Sequence, residues 1–506
     1  MSEGKRIAKN TGFLYIRMTI VMVVTLFTSR VVLQTLGVVD YGLHNVIGGV
    51  VTMLSFINST ASSATSRYLT FSLGNSKAYR YSDVFNTAFV IHLVIAFIIL
   101  ILAETVGLWY VYNKMVIPAE RLDAALWVYH VSVITVFVSF TQVPYNASII
   151  AHEKMDIYAY TGLYEAFAKL GVVYLLWISP LDKLKTYSSL LFLVTLSLSL
   201  FYRWYCQKKF GEKCKLYRIR DRNLYKELLS YSGWNLIGNF ASAARSQGVN
   251  LILNLFFGPA VNAARAVAYQ AEAALYLFTT NFLQASRPVI IKHYAAGEVD
   301  KMLKLLYETA KFAFFLFSCL AVPFAIESDF ILKLWLGTPP EYASVFFKIV
   351  LVNYMVISLT NTINIGVHAT GDVKRLNLYA GSKVFIEIPV IYCLLKNGAA
   401  PYWALIVLLI GTYLVIWIDL WVLRKNIPKA KIMNFVNKVL VVVFLIILLP
   451  TVFSIAVHNL IRADFLRLTC VFLTYCISIM PLIYYFGISL SMRERITKKI
   501  KMKLHL

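Results

Sequence analysis

Charged side chains are scarce in this sequence, and acidic ones are the scarcest. Asp, Glu, Lys and Arg together make up 15% of the 506 residues, whereas 59% of the residues are hydrophobic. A soluble domain of this size needs more polar residues to cover its surface. Only 25 acidic residues oppose 49 Lys and Arg, which gives a net charge of +24. The composition excludes a soluble globular protein and indicates a basic membrane protein.

Motifs for nucleotide, peptide and ester hydrolysis are also missing. The sequence has no G-x-x-x-x-G-K-[ST] loop and no G-x-S-x-G elbow, and "HEKMD" at 152–156 is not the H-E-x-x-H of zinc proteases. The six cysteines show no spacing typical of a metal site. We therefore predict a protein that is not an enzyme and that has no cofactor or metal. A membrane glycosyltransferase or polymerase remains the alternative from a different class.

Long apolar runs extend over the whole chain, and each is long enough to cross a hydrocarbon core of about 30 Å. They predict an all-α polytopic membrane protein with about fourteen transmembrane helices. The predicted spans lie near 12–36, 42–66, 84–111, 124–150, 157–179, 187–206, 229–257, 263–290, 309–333, 343–369, 376–395, 401–423, 436–457 and 464–488. The first run is too long for a cleavable signal peptide, so we expect a retained helix.

Lys and Arg concentrate in alternate connections between the spans. The two richest segments are "KKFGEKCKLYRIRDR" (208–222) and "RERITKKIKMK" (493–503). Because basic connections stay on the cytoplasmic side, this asymmetry predicts cytoplasmic N- and C-termini. We attribute the positive charge to topology and to attraction by lipid headgroups, and we expect no nucleic-acid partner.

Weak internal similarity divides the chain into two halves. "LGVVDYG" (36–42) closes the first helical hairpin and "FGPAVNA" (257–263) closes the seventh-to-eighth, and further segments match at an offset of about 220. The division predicts an N-terminal lobe at 1–206, a basic linker at 207–228, a C-terminal lobe at 229–425, and a helix pair with a basic tail at 426–506. Two such lobes enclose a cleft in which transporters bind cargo.

Small and polar residues form a stripe at helical spacing along the second span. Asn45, Thr52, Ser59 and Ser66 lie on one helix face. Such a stripe either packs closely against another helix or lines a watery cavity. In the second half it corresponds to Arg265, Glu272, Thr279 and Ser286. Charges inside a span normally face the bundle interior or water, so this correspondence favours a cavity.

Four arginines fall within predicted spans and suggest an anionic cargo: Arg17, Arg30, Arg245 and Arg265. Arginine suits phosphate because it stays charged and presents a planar fork of donors. Snorkelling to headgroups is the alternative for the first two, which lie near helix ends.

Intramembrane acids offer candidates for coupling to an ion. Glu272 has no close partner in sequence, whereas Glu165 and Glu387 each have a lysine one turn away, Lys169 and Lys383 respectively. Those two pairs are either structural ion pairs or polar sites gated by protonation. Asp419 and Glu104 lie near span ends, where we expect interfacial positions.

The segment "SRVVLQTLGVVDYGLHNVIGGVVTMLSFINSTASSATSRYLTF" (29–71) resembles the first two spans of bacterial O-antigen and capsular repeat-unit flippases. These flippases are the polysaccharide-transporter family of the multidrug/oligosaccharidyl-lipid/polysaccharide (MOP) exporter superfamily. The hairpin "LGVVDYG", followed by a Ser/Thr-rich span that ends in Ser-Arg, carries the resemblance best.

The resemblance implies two six-helix lobes around a V-shaped cleft in the bacterial inner membrane. Its cationic lumen would take the pyrophosphate and sugars of a polyprenyl-linked oligosaccharide, with H⁺ or Na⁺ as the coupling ion. Membrane lipids and polysaccharide polymerase or chain-length machinery would be the partners. The implied function is export of undecaprenyl-pyrophosphate-linked O-antigen, capsule or exopolysaccharide repeat units, and a cation-coupled multidrug exporter of the same superfamily is the alternative.

Overall fold

The computed structural model describes residues 3–53, 65, 68–69, 72–73, 79–152, 154–217, 221–370, 374–488 and 493–494. The described residues are almost entirely helical and contain no strand, so the all-α prediction is confirmed. The helices are α1 (Glu3–Met53), α2 (Tyr81–Leu102), α3 (Leu108–Asn113), α4 (Leu122–Ala151), α5 (Met155–Ile178), α6 (Lys183–Phe210), α7 (Arg222–Phe257), α8 (Pro259–Ala295), α9 (Val299–Ile326), α10 (Ser328–Leu336), α11 (Ala343–Thr370), α12 (Lys374–Ser382), α13 (Val384–Lys396), α14 (Tyr402–Asn426), α15 (Ile432–Phe435), α16 (Val441–Leu460) and α17 (Asp464–Leu482).

Local sequence explains several helix ends. Asp182 caps α6 by accepting a hydrogen bond from the Lys185 backbone amide at 3.0 Å, and Asp221 caps α7 in the same way. Gly37 interrupts α1, and Gly258 separates α7 from α8. Single turns of π-helix join α2 to α3 and α15 to α16. The described chain therefore forms long helices that are separated by short turns.

Ten helices in the described part of the chain are long and apolar enough to cross a membrane. The predicted count of about fourteen spans is not confirmed. Three of the remaining predicted spans coincide with α7, α8 and the α12–α13 pair. Helices α12 and α13, with 9 and 13 residues, are each too short to cross a membrane alone. Large apolar side chains point outward elsewhere, as at Trp177 (75% exposed) and Leu460 (80% exposed). Such a surface suits lipid better than water.

The described chain divides into two compact units. The first contains Met1–Ala266 with Ile391–Asn397, and the second contains Val267–Val390 with Gly398–Leu506. In the first unit, α4 packs along α2 and α6 around buried aromatic rings such as Phe85 and Tyr145, whose centroids are 5.2 Å apart. In the second, α11 packs along α9 and α14. The lobes inferred from sequence repetition, 1–206 and 229–425, stay a prediction.

An ion-pair network joins three turns at one end of the first unit. The Arg121 guanidinium donates to Asp40 at 2.6 and 2.8 Å and to Asp182 at 2.7 Å. Burial alone would raise the pKa of Asp182, but its hydrogen bonds from Arg121 and from the Lys185 backbone lower that pKa. The network fixes the ends of α1, α4 and α6 relative to one another.

Candidate binding region at the helical hairpins

Two glycine turns build the candidate region in the first unit. Gly37 has φ 78° and ψ 171°, and Gly258 has φ 76° and ψ −173°. Only glycine occupies this backbone region without strain. The turns also touch, because a Cβ placed on Gly42 would lie 1.9 Å from the carbonyl oxygen of Pro259. The two segments that the sequence matched, 36–42 and 257–263, therefore have equivalent conformations and pack against each other.

Buried asparagines lie below these turns and link the two hairpins. The Asn262 amide donates to the backbone oxygen and side-chain oxygen of Asn250 at 2.8 and 2.6 Å. Asn250 donates to the backbone oxygen of Asn45 at 3.5 Å, and Asn254 accepts from the Val116 amide at 3.0 Å. Polar groups buried in a membrane protein are costly unless they are paired. We call Asn45, Asn250, Asn254 and Asn262 the asparagine cluster.

Two of the predicted arginines converge at one depth in the hairpin α7–α8. Arg265 is buried, and its Nη2 donates to the backbone oxygen of Ser246 at 3.0 Å. At 1.5 Å per helical residue, Ser246 and its neighbour Arg245 lie about 20 Å from the Gly258 turn. The Arg265 side chain thus reaches down to the level of Arg245, which is half-buried.

The remaining predicted members of the lumen are described only in part. Arg30 is half-buried in α1, and Asn45 is half-buried and donates to the Tyr41 carbonyl at 2.7 Å. Arg17 and Thr52 lie in α1, but their side chains lie outside the described residues, as do Ser59 and Ser66 entirely. The assignment of these residues to a water-filled lumen stays a prediction.

In the second unit, Glu272 and Thr279 of the stripe on α8 are buried, and Ser286 is half-buried. Glu272 is 2% exposed and Thr279 is 0% exposed, and the Glu272 Oε1 atom has no hydrogen-bond partner among the described residues. The hydroxyl of Tyr354 lies beside the carboxyl group, and Tyr276 packs on Tyr354 with ring centroids 5.0 Å apart. This packing favours the close-packing interpretation of the stripe in the present conformation, while the cavity lining stays a prediction.

Helices α13 and α14 each contain a buried acidic residue, Glu387 and Asp419. Glu387 is 4% exposed, and its carboxylate covers Gly411 so closely that a Cβ there would lie 1.8 Å from Oε1. Asp419 was expected at the membrane interface, but it is fully buried, and neither of its oxygens has a hydrogen-bond partner among the described residues. Lys383 acts on it electrostatically. Asp419 lies on the packed face of α14, two turns after Gly411, and this packing buries it.

Glu165 differs from these buried acids. It accepts a hydrogen bond from Lys169 at 2.6 Å, and both side chains are more than two-fifths exposed. An exposed pair one turn apart on a helix contributes little to stability, about 0.3–0.5 kcal/mol. Of the two alternatives for Glu165 and Lys169, this geometry fits the structural ion pair.

Sequence reasoning singled out Asn45 but missed Asn250, Asn254 and Asn262, and it missed the tyrosines around Glu272. Asn250 and Asn254 are one turn apart on α7, and this spacing in the sequence predicts that both side chains lie on one polar helix face. Tyr354 lies on α11, far from Glu272 in sequence, and no local pattern connects the two residues.

Comparisons with known proteins support a multi-pass membrane protein with a transporter fold. No family model and no curated protein matches the sequence. Among solved structures, the lipid II flippase MurJ in an inward closed conformation has a TM-score of 0.68 at 14% identity, and the match covers 93% of this chain and 98% of that one. An inward-facing multidrug resistance MATE transporter of the MOP superfamily has a TM-score of 0.64 at 12% identity, with coverages of 82% and 98%.

A third solved structure agrees with these two. A MOP superfamily transporter from Pyrococcus furiosus has a TM-score of 0.55 at 14% identity and covers 83% of this chain and 95% of its own. The chain therefore has the fold of MOP superfamily transporters. At such low identity the likeness establishes the fold, whereas the specific polysaccharide-transporter family is not confirmed.

Proposed function

We propose that this chain is a flippase for undecaprenyl-pyrophosphate-linked repeat units of O-antigen, capsule or exopolysaccharide. It moves them from the inner to the outer leaflet of the bacterial inner membrane by alternating access. The charge of a pyrophosphate makes unassisted crossing of hydrocarbon prohibitively costly, so the physical requirement is a polar, basic path.

The observation that carries this proposal is that the Arg265 side chain reaches the level of Arg245 within the hairpin α7–α8. Arg265 donates to Ser246, the residue after Arg245, and the buried amides of Asn250 and Asn262 lie on the same hairpin. Guanidinium groups bind the oxygens of pyrophosphate in a bidentate manner, and amides hydrogen-bond to sugar hydroxyls. Arg17 and Arg30 would extend the basic path along α1.

The fold comparisons are consistent with either a lipid-linked cargo or a drug. The flippase structure covers 93% of this chain, whereas the multidrug transporter covers 82%, although each neighbour is matched over 98% of its own length. A multidrug exporter remains the second candidate, because the MATE structure has nearly the same TM-score. An exporter of cationic drugs needs an acidic binding region, and the described hairpins α1 and α7–α8 instead contribute Arg30, Arg245 and Arg265.

Glu272 is our candidate for coupling transport to H⁺ or Na⁺. It is buried about 21 Å from the Gly258 turn, beside tyrosine rings, where protonation or ion binding changes the cost of its burial. Glu387 and Lys383 form the second candidate pair, and Glu165 is the weakest candidate because it is exposed and ion-paired.

Reconstitution in liposomes tests the proposal. A fluorescent prenyl-pyrophosphate-linked saccharide is added, and the fraction that a membrane-impermeant quencher reaches is followed over time. We expect Arg245→Glu to slow flipping by about tenfold or more, because it reverses the charge facing the pyrophosphate. Arg222→Glu is the matched control, since Arg222 is exposed in the first turn of the same helix. Glu272→Gln should remove the response to a pH or Na⁺ gradient.

Three results would contradict the proposal. Normal flipping by well-folded Arg245→Glu protein would remove the role of the hairpin arginines. Gradient-driven uptake of a cationic dye, with no flipping of the lipid-linked saccharide by the wild-type protein, would identify an exporter. A change in the sugar chain itself, measured by mass spectrometry, would identify an enzyme.

A further inference from the structure

A basic pocket opens at the opposite end of the first unit from the Arg121 network. It is a cavity of about 640 Å³ between the start of α2 and the segment that follows α6. Its walls include three cations, Arg80, Lys213 and Lys215, and the aromatic rings of Tyr79, Tyr81 and Tyr217. By the charge asymmetry of the sequence, this end faces the cytoplasm. The pocket shares no residue with the asparagine cluster or with Arg245 and Arg265.

Buried side chains hold the walls of the pocket in place. Asn86, which is 2% exposed, donates to the Lys215 carbonyl at 2.9 Å and accepts from the Tyr217 amide at 2.8 Å. The side-chain amide of Asn86 thereby holds the segment 215–217 against α2. Cys214, beside Lys213, is fully buried against Ser148, with the sulfur 3.9 Å from the hydroxyl. The lysines thus project from an anchored segment of backbone.

In the wall of the pocket cations outnumber carboxylates, and two further acids nearby bond to tyrosine hydroxyls. Asp83 accepts a hydrogen bond from the Tyr217 hydroxyl, and Glu227 accepts one from the Tyr79 hydroxyl at 3.0 Å. Burial and the bond to Asp83 raise the pKa of Tyr217, so its hydroxyl remains a donor. By contrast, none of the three cations forms an ion pair within the part of the chain that the structure describes. Lys213 lies 5.7 Å from the centre of the Tyr81 ring.

We propose that this pocket binds a phosphate-bearing group, either the headgroup of an anionic lipid or a free phosphate or pyrophosphate. Three cations on a fixed frame line the cavity together with one carboxylate, that of Glu212, and they provide the charge that such a group needs. Asp83 and Glu227 are not part of the cavity wall and accept hydrogen bonds from its tyrosine hydroxyls. Arg80 contributes a planar fork for two phosphate oxygens, and the two lysines act as point charges. The inference does not rest on the proposed export function, because it concerns binding at the end of the unit.

Calorimetric titration of inorganic pyrophosphate into the full-length protein tests the proposal. The protein is held in nanodiscs of phosphatidylcholine, which carry no net charge. We expect saturable binding that the triple variant Arg80→Gln, Lys213→Gln, Lys215→Gln weakens by about tenfold or more. The matched control, Lys208→Gln, Lys209→Gln, Arg222→Gln, removes the same charge from the same region without touching the pocket. It should bind within about twofold of wild type.

Repeating the titration in nanodiscs that contain phosphatidylglycerol distinguishes the two sources of phosphate. Loss of pyrophosphate binding there, with lipid retained by the wild type and not by the pocket variant in native mass spectrometry, identifies a lipid headgroup. Unchanged pyrophosphate binding identifies a free phosphate or pyrophosphate. Equal loss in the pocket and control variants, or no saturable binding of either ligand, would overturn the proposal. Thermal unfolding of each variant verifies its fold.

Discussion

Gly37 and Gly258 adopt the same backbone conformation, with φ of 78° and 76°. Their ψ angles, 171° and −173°, differ by little on the circle. A side chain at either position would strain the backbone, although no atom lies within 4 Å of a Cβ on Gly37. The two glycines of the matched sequence segments thus share one backbone conformation.

We expect Gly37→Ala and Gly258→Ala each to lower the free energy of unfolding by about 1–3 kcal/mol, because alanine avoids this backbone region. Denaturant unfolding of the purified protein in detergent measures the change. Gly171→Ala is the control, since Gly171 is helical and has open space around it, and that variant should be neutral or slightly more stable. Equal effects at all three positions would contradict the strain argument.

Gly42 lies at the contact between the two turns, where a larger residue should be destabilising. Gly42→Ala would bring a Cβ within 1.9 Å of the Pro259 oxygen and 2.6 Å of its carbonyl carbon, so the turns must move apart. The expected loss is about 1–3 kcal/mol of unfolding free energy. Gly48→Ala, on the same helix with nothing within 4 Å, serves as the comparison. If the Gly42 variant unfolds like wild type, the two turns are not packed as described.

Glu327 is a buried charge whose loss of partners should be costly. It is 1% exposed, and it accepts hydrogen bonds from Arg467 at 3.0 Å and from the His458 ring at 2.6 Å. Arg467→Met leaves the carboxylate with only the imidazole, and we expect a loss of about 3–5 kcal/mol in unfolding free energy.

The neighbouring pair Lys348–Asp329 provides the control for that prediction. It is exposed, with 3.5 Å between its charged atoms, so Lys348→Met should cost less than about 1 kcal/mol. Adding Glu327→Gln to Arg467→Met should restore part of the loss, because the orphaned charge is then removed. A double variant as unstable as the sum of both single variants would count against the ion pair.

His152 should make stability depend on pH. Burial against Phe210, at 3.9 Å between ring centroids, lowers the pKa of His152, as do the nearby cations Lys213 and Lys154. Between this lowered value and the ordinary pKa of about 6.5, the unfolded chain binds more protons than the folded chain. Stability is therefore fully present above about pH 6.5 and falls as the pH decreases below it.

Thermal unfolding of wild-type and His152→Gln protein at pH values from about 7.5 to about 5.5 measures this effect. The wild-type unfolding temperature should decrease more on acidification than that of the variant, whose glutamine does not titrate. Parallel curves for the two proteins would show that His152 is not the group responsible.

Periodicity and composition predicted the features that depend on neighbours in the chain. Helical structure, the glycine turn of "LGVVDYG" and the matched turn of "FGPAVNA" all follow from local rules of hydropathy and backbone freedom. The count of spans was harder, because polar residues such as Glu272 interrupt α8 and a break divides 374–396 into the short helices α12 and α13. A polar helix inside a bundle does not need the apolar surface by which a span is recognised.

The sequence by itself determined that this is an all-helical, basic membrane protein with arginines inside its spans, because these properties are sums over local residues. Only the tertiary structure decided that Arg265 reaches the level of Arg245, that Asn250 links α7 to α1 through Asn45, and that Asp419 is buried. Each of these depends on which helices pack together and at what height. Packing between distant helices is a collective result of the whole chain, and no single segment encodes it.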